Sequence, residues 1–154
     1  NVMGDSGISG ISSILRKKII YINFIPLNIN HLSYCSPESI INPKKIFDKK
    51  KERFLTFTEN LNLNFSLHNT SDQYKDRNLE VINNSPKEIL DVVIEMEEQL
   101  KGKKSLDGKE LNEIFWKKIA KKDHHKVNFL RKDLKLSISY NFLKENFNLI
   151  LKKI

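Results

Sequence analysis

The run Gly4-Asp5-Ser6-Gly7-Ile8-Ser9-Gly10, followed by Lys17-Lys18-Ile19-Ile20-Tyr21-Ile22-Asn23, constrains the fold more than any other part of the chain. A short apolar lead, Asn1-Val2-Met3, runs into it. The order strand end, small-residue turn, helix opening and β-branched strand is that of a βαβ unit in an open α/β sheet. In such sheets ligands sit at turns leaving the carboxyl ends of the strands, and a glycine-containing turn that opens a helix readily seats a phosphate. Gly4 and Gly7 permit positive φ and carry no Cβ, so an anion can approach the backbone there. Ser6 and Ser9 add hydroxyl donors, and either can cap the following helix. Gly4, Asp5, Ser6, Gly7, Ser9 and Gly10 are therefore the candidate diphosphate-binding residues. The plain alternative is that Asp5 and Ser6 only cap a helix and the glycines only make a tight turn. The spacing meets neither the P-loop nor the G-x-G-x-x-G fingerprint.

The 154 residues suffice for one domain, and 39% hydrophobic content with nine Phe can fill a core. A net charge of +8 raises nucleic acid or an anionic membrane as partners. Against nucleic acid, the lysines are scattered over Lys17-Lys18, Lys44-Lys45, Lys49-Lys50-Lys51, Lys103-Lys104, Lys117-Lys118, Lys121-Lys122 and Lys152-Lys153, with acids among them. Arginine is scarce, and no interleaving of aromatic and basic residues suggests RNA. A single cysteine, Cys35, rules out an internal disulfide and fits a reducing compartment, with cytoplasm the default location. No apolar run approaches the roughly 20 residues that span a bilayer.

Along the chain, Ile8 to Arg16 reads as a short helix with Ile8, Ile11, Ile14 and Leu15 on one face. Ile19 to Phe24 suits a buried parallel strand, ended by Pro26. The polar loop after it, through Asn28, Asn30, His31, Ser33, Tyr34 and Ser36-Pro37, leaves the same sheet edge as the glycine turn and is the second place for ligand contacts. Ser39-Ile40-Ile41 reads as a short extended piece, Thr56 to Leu63 as a brief helix, and Asn64 to Asn78 as a surface loop. Leu79 to Asn83 reads as a strand. Ser85, Pro86 and Glu88 form a capping box with proline at the first helical position. Ile89, Leu90, Val93, Met96 and Leu100 then recur at helical spacing up to Gly102. A second helix runs from Asp107 to about Lys121, burying Leu111, Ile114, Phe115 and Ile119. The expected core is a small parallel sheet of Val2-Met3, Ile19 to Asn23 and Leu79 to Ile82, incomplete on its N-terminal side.

Several ordered blocks carry a resemblance: Gly4 to Ile11, Phe24-Ile25-Pro26-Leu27, Asn42-Pro43-Lys44-Lys45, Arg53-Phe54-Leu55-Thr56-Phe57, Asn83 to Ile89, Glu95-Met96 and Ser139-Tyr140-Asn141-Phe142-Leu143. Together they resemble the C-terminal part of a bacterial family of putative glycosyltransferases with a GT-B-like architecture, over nearly the whole chain. Ser12 or Ser13, and Lys18, stand where that family tends to carry proline; none of these positions is a phosphate contact. The resemblance implies an α/β class and a Rossmann-like C-terminal lobe truncated at its N-terminal side. Residues 1–123 would form the donor-binding lobe, and 124–154 a helical tail that packs on an N-terminal lobe of the same protein. It implies a nucleotide-sugar donor as substrate rather than a cofactor, and a carbohydrate or glycolipid acceptor in surface-polysaccharide synthesis, with peripheral membrane association open. The acceptor site, and often the catalytic base, would come from the N-terminal lobe, so no catalytic residue is assigned and this chain alone would be inactive. Phe142, Leu143, Phe147, Ile150 and Leu151 should then form an exposed apolar face. A sugar-nucleotide epimerase carries a similar turn and is the rival enzyme reading; a basic module for nucleic acid or a membrane surface is the rival outside enzymes.

Other candidates read more plainly. His124-His125 beside Asp123 has no partner at ligand spacing, so no metal site is assigned. Glu95, Glu97 and Glu98 fall largely on the polar face of their helix. His31 borders the ligand edge but reads as a surface residue. Trp116 reads as a core or lobe contact.

Overall fold

The computed structural model describes residues 1–4, 9–15, 17–63, 70–103, 106–120 and 128–151. Two sheets are built on one stretch of chain, Ile40 to Asp48. The first is a four-stranded parallel sheet in the order β1 (Val2–Met3), β2 (Ile20–Phe24), β3 (Ile40–Pro43) and β7 (Ser137–Ile138). The second is a three-stranded antiparallel sheet with β4 (Lys45–Asp48) between β5 (Arg53–Phe54) and β6 (Leu79–Ile82). β3 and β4 are separated only by Lys44. Around them lie α1 (Ser9–Ile14), α2 (Ile29–Leu32), α3 (Phe57–Leu61), α4 (Ser71–Asp76), α5 (Pro86–Leu100), α6 (Leu106–Ala120), a π-helical turn at Phe129–Asp133, α7 (Tyr140–Glu145) and α8 (Phe147–Leu151). The fold is mixed α/β, a parallel sheet flanked by helices, and is compatible with a Rossmann-like class.

β2 is apolar on both faces because both faces are covered. Ile19, Tyr21, Ile41 and Ile138 pack with Leu32, Phe57, Phe115, Trp116, Leu130, Phe142 and Leu143 in the larger core. Ile20 and Ile40 pack on Val92 and Met96 of α5 in the smaller one. Phe57 meets Phe115 and Phe142 at ring centroid separations of 5.6 and 5.9 Å, and Phe115 meets Trp116 edge-on at 5.2 Å. Trp116 is thus a core residue. At the open side of β7, Asn112 of α6 takes the place of a further strand: its Nδ2 donates to Ile138 O at 2.9 Å and its Oδ1 accepts from Ile138 N at 2.8 Å. The polar groups of that short strand are thereby satisfied without another chain.

Local signals govern the helix ends. Ser85, Pro86 and Glu88 make the capping box expected of them, and Gly102 takes the positive φ that closes α5. Thr56 and Glu59 make a second box for α3, in which Glu59 also takes the Arg53 guanidinium at 2.6 and 2.8 Å.

Four expectations need correction. Leu79–Ile82 does not join the parallel sheet; it pairs antiparallel with β4, from Lys45 opposite Ile82 to Asp48 opposite Leu79. The strand beside β2 is instead Ile40–Pro43. The segment Asn64 to Asn78 contains α4 rather than only loop, with 64–69 outside the described residues. On α6, Phe115 is buried and Leu111 partly buried as expected, but Ile114 is exposed and Trp116 is fully inside, so the inward face leans toward Trp116; the side chain of Ile119 lies outside those described.

The last correction concerns the C-terminal segment. Phe142 and Leu143 are buried, as are Leu149 and Ile150, and Phe147 packs against the same cluster. The expected exposed apolar face is not there among these residues, because Phe57 of α3 and Phe115 and Trp116 of α6 supply the cover. Leu143→Ala should therefore cost about 2–5 kcal/mol, the range for removing a buried leucine side chain. Denaturant unfolding of the purified protein measures this, and a loss below about 0.5 kcal/mol would mean that α7 does not belong to this core.

Candidate functional site

Parallel strands all present their carboxyl ends to one edge, and four stretches of chain leave β1, β2, β3 and β7 there. Gly4 follows β1 directly. Its backbone does not use the left-handed region, and a Cβ built on it meets nothing within 4 Å, so the space beside it is open. Asp5, Ser6 and Gly7 lie outside the described residues. Ser9 and Gly10 begin α1. The parallel pairing of Val2 with Ile20 and Met3 with Tyr21 puts Gly4 at the same sheet edge as the end of β2.

β2 becomes irregular at Asn23, one residue before its end, where a φ of 53° is left-handed, a conformation that asparagine tolerates better than most other side-chain-bearing residues. Asn23 and Asn84 then clasp each other. Asn23 N donates to Asn84 Oδ1 at 2.6 Å, and Asn84 N donates to Asn23 Oδ1 at 2.7 Å. Asn84 Nδ2 also donates to Pro43 O at 2.9 Å. One side chain thus ties together the end of β2, the end of β3 and the start of α5. Past the cis Ile25-Pro26 bond, Asn28 caps α2 by accepting from His31 N at 2.8 Å. The His31 ring packs at a tilt against Phe24 with centroids 5.0 Å apart, and it is partly buried rather than a free surface group.

Behind this edge sits a polar junction under the first turn of α5. Asn42, fully buried, donates from Nδ2 to Glu88 O at 3.1 Å. Lys45 Nζ lies 2.9 Å from Glu88 Oε1, while Ser85 N donates to the other carboxylate oxygen at 2.7 Å. Burial works against the charge of Glu88, but the Ser85 amide and the Lys45 ammonium outweigh it and hold the carboxyl below its ordinary range.

Glu95 is the residue that sequence reasoning missed. It does not lie on a polar face. Its Oε2 accepts from Ser139 Oγ and from Tyr140 N, each at 2.9 Å, and so joins α5 to the first turn of α7 just beyond the carboxyl end of β7. Burial pushes its pKa up to about 7, with the two hydrogen bonds opposing and Glu98 adding to the rise. Its sequence signals were its position on the helix flank between Val92 and Glu98 and its place, with Ser139 and Tyr140, among the blocks that carry the resemblance. The two donors that it accepts from lie more than forty residues away.

His124 and His125 lie outside the described residues, and among those described no group of three or more His, Cys, Asp or Glu is placed to hold a metal ion. No helix among them is long and apolar enough to cross a membrane. Comparison with protein-family models, with curated proteins and with solved structures gives no match to this chain.

Glu95 makes stability depend on pH in a defined direction. Its folded pKa is about 7 against an ordinary 4.5, so between those values the folded state keeps a proton that the unfolded state releases. The stability contributed by the protonated carboxyl is present below about pH 4.5 and lost as pH rises through 7. In Glu95→Gln that loss disappears. Denaturation midpoints of the two proteins measured from pH 4 to 8 should therefore diverge in favour of the variant as pH rises; parallel curves would place Glu95 in water.

Proposed function

We propose that this chain is the donor-binding part of a nucleotide-sugar-dependent glycosyltransferase of GT-B-like architecture, acting in surface-polysaccharide synthesis. The observation that supports the reading is the parallel pairing of β1 with β2, which brings Gly4, where the glycine turn begins, and the end of β2 to one sheet edge. The ordered blocks that resemble such enzymes map onto the same edge: Phe24 to Leu27, Asn42 to Lys45, Asn83 to Ile89 and Ser139 to Leu143.

In this reading the turn holds the donor diphosphate. Transfer breaks the bond between the sugar and the diphosphate, and negative charge builds on the departing nucleotide. Backbone N–H groups of Gly4 to Gly10 and the hydroxyls of Ser6 and Ser9 would meet that charge, and fixed donors of this kind stabilise a transition state without reorganising. The acceptor, carbohydrate or glycolipid, and the base that deprotonates it would come from an N-terminal lobe of the same protein.

The basic-module reading fares less well on the observed charges. Lys18, Lys45, Lys49, Lys87 and Lys101 are paired with Glu38, Glu88, Glu80, Asp91 with Glu145, and Glu97 respectively, so their charge is largely spent within the molecule. An epimerase would share the turn but act without an acceptor.

Titration of the intact enzyme with nucleoside diphosphates and nucleotide sugars tests the reading. Ser6→Ala should weaken binding by about 1 kcal/mol or somewhat more, the loss for one hydroxyl donor to a charged group. Gly7→Val should weaken it further, because a branched side chain fills the space a phosphate needs. Unchanged affinity in Gly7→Val would return the turn to a purely structural role.

A further inference from the structure

An antiparallel sheet commonly packs one face on a core and turns the other to water, so its outward face is ordinarily polar. The three-stranded sheet departs from that pattern. On its inward face, Ile46 of β4 and Leu79 and Val81 of β6 pack with Leu55 and Tyr74. Its other face carries Phe47, Phe54 and Ile82, and none of these belongs to any of the three apolar clusters. Phe54 is 36% exposed, and Phe47 and Ile82 are only partly buried.

The contacts fix which groups share this face. Phe47 stands directly opposite Phe54 in the ladder, and their rings meet edge to face with centroids 5.4 Å apart. Lys45 Nζ lies 5.9 Å from the centre of the Phe54 ring. From β6, Glu80 stands opposite Phe47 and Ile82 opposite Lys45. Each lysine here meets a carboxylate: Lys45 is 2.9 Å from Glu88 and Lys49 is 3.1 Å from Glu80. An aromatic centre is thus bracketed by two ion pairs, and among the described residues no apolar cluster covers it.

Size and charge decide the occupant. Three partly exposed side chains offer roughly a few hundred Å² at most, against about 800 Å² per partner in a stable protein interface, so the patch is too small to hold a second copy of the chain. The two ion pairs cancel, and their carboxylates repel phosphate, which sets the face against an anionic bilayer or a nucleic acid. A neutral sugar ring suits it. The C–H hydrogens on one side of the ring carry slight positive charge and meet the negative face of an aromatic side chain. Its hydroxyls both donate to carboxylates and accept from ammonium groups.

We propose that the outward face of the three-stranded sheet, centred on Phe47 and Phe54, is a binding site for a neutral pyranose unit of a glycan. Phe54, the most exposed of the three apolar side chains, supplies the stacking surface, Glu80 accepts from sugar hydroxyls, and Lys49 donates to them. The site goes beyond the donor-binding reading and does not depend on it, since these residues lie on a different sheet from the turn after β1.

Two-dimensional amide NMR of the intact protein, titrated with cellohexaose, maltohexaose and N-acetylchitohexaose, tests this. A sulfated heparin hexasaccharide, uridine, adenosine and phosphatidylglycerol vesicles serve as comparisons. A neutral oligosaccharide should shift the amides around Phe47, Phe54 and Glu80, and more strongly than the sulfated one does. Phe54→Ala should weaken that binding roughly tenfold or more, Phe54→Tyr should keep it, and Glu80→Ala should weaken it severalfold. Both positions lie outside the cores, and unchanged amide spectra elsewhere verify that each variant is folded. Neutral oligosaccharides that leave these amides unmoved overturn the proposal, as does binding that survives Phe54→Ala undiminished. A response confined to the anionic probes, nucleosides or vesicles overturns it too, as does a dimer in sedimentation that Phe54→Ala abolishes. None of these results bears on the nucleotide edge, which titration with diphosphates tests separately.

Discussion

Everything about this edge follows from one strand that changes partners. From Ile40 to Pro43 the chain lies between β2 and β7 in a parallel sheet; from Lys45 to Asp48 it lies between β5 and β6 in an antiparallel one. Proline has no N–H to offer a ladder, and Pro43 stands where the parallel sheet stops. The break fixes where the parallel strands end. Because β6 returns antiparallel along β4, it delivers Asn84 and Ser85 to the same place, and α5 starts over the end of β3 rather than at the far side of the molecule.

The polar side chains at that junction hold the strand ends in register. Asn84 clasps Asn23 and Pro43, Asn42 supports the first turn of α5, and Lys45 neutralises Glu88. Buried polar groups of this kind contribute little net stability when all are paired, but each costs heavily when its partner is removed. They make the edge rigid, which is what a binding site needs from its second layer of residues. Glu95 does the same for the β7 end, where it joins α5 to α7 through Ser139 and Tyr140. The apolar core below, from Tyr21 and Ile41 to Phe115, Phe142 and Leu143, carries the weight of the fold.

What the sequence disclosed were features with local causes. The β-branched run of β2, the Ser85-Pro86-Glu88 helix start and the Gly102 stop depend on neighbours a few residues away, and all three are found where the pattern puts them. Strand direction has no such signature. Leu79–Ile82 is apolar enough for either sheet, and only its pairing with Lys45–Asp48 decides, a segment whose lysine and aspartate hide its strand character. The C-terminal segment was misjudged for a related reason: its apolar residues are covered by Phe57, Phe115 and Trp116, and nothing in the sequence announces that three distant elements meet. Of the candidate site, the placement of Gly4 and of the Asn23 to Asn28 loop on one edge was legible from the βαβ order, while Asp5, Ser6 and Gly7 lie outside the described residues. The reciprocal bonds of Asn23 with Asn84, and the link from Glu95 to Ser139, were not legible. They join positions more than forty residues apart, through side chains that are polar anywhere on a surface.

The central claim is that the carboxyl edge of the parallel sheet, at the turn after β1, receives the diphosphate of a nucleotide. A crystal structure of the intact protein soaked with a nucleoside diphosphate tests it most directly. The account predicts the two phosphates against the backbone of residues 4 to 10, with the base and ribose extending toward the loop from Asn23 to Asn28. A nucleotide bound elsewhere on the molecule, with the turn empty, would contradict it.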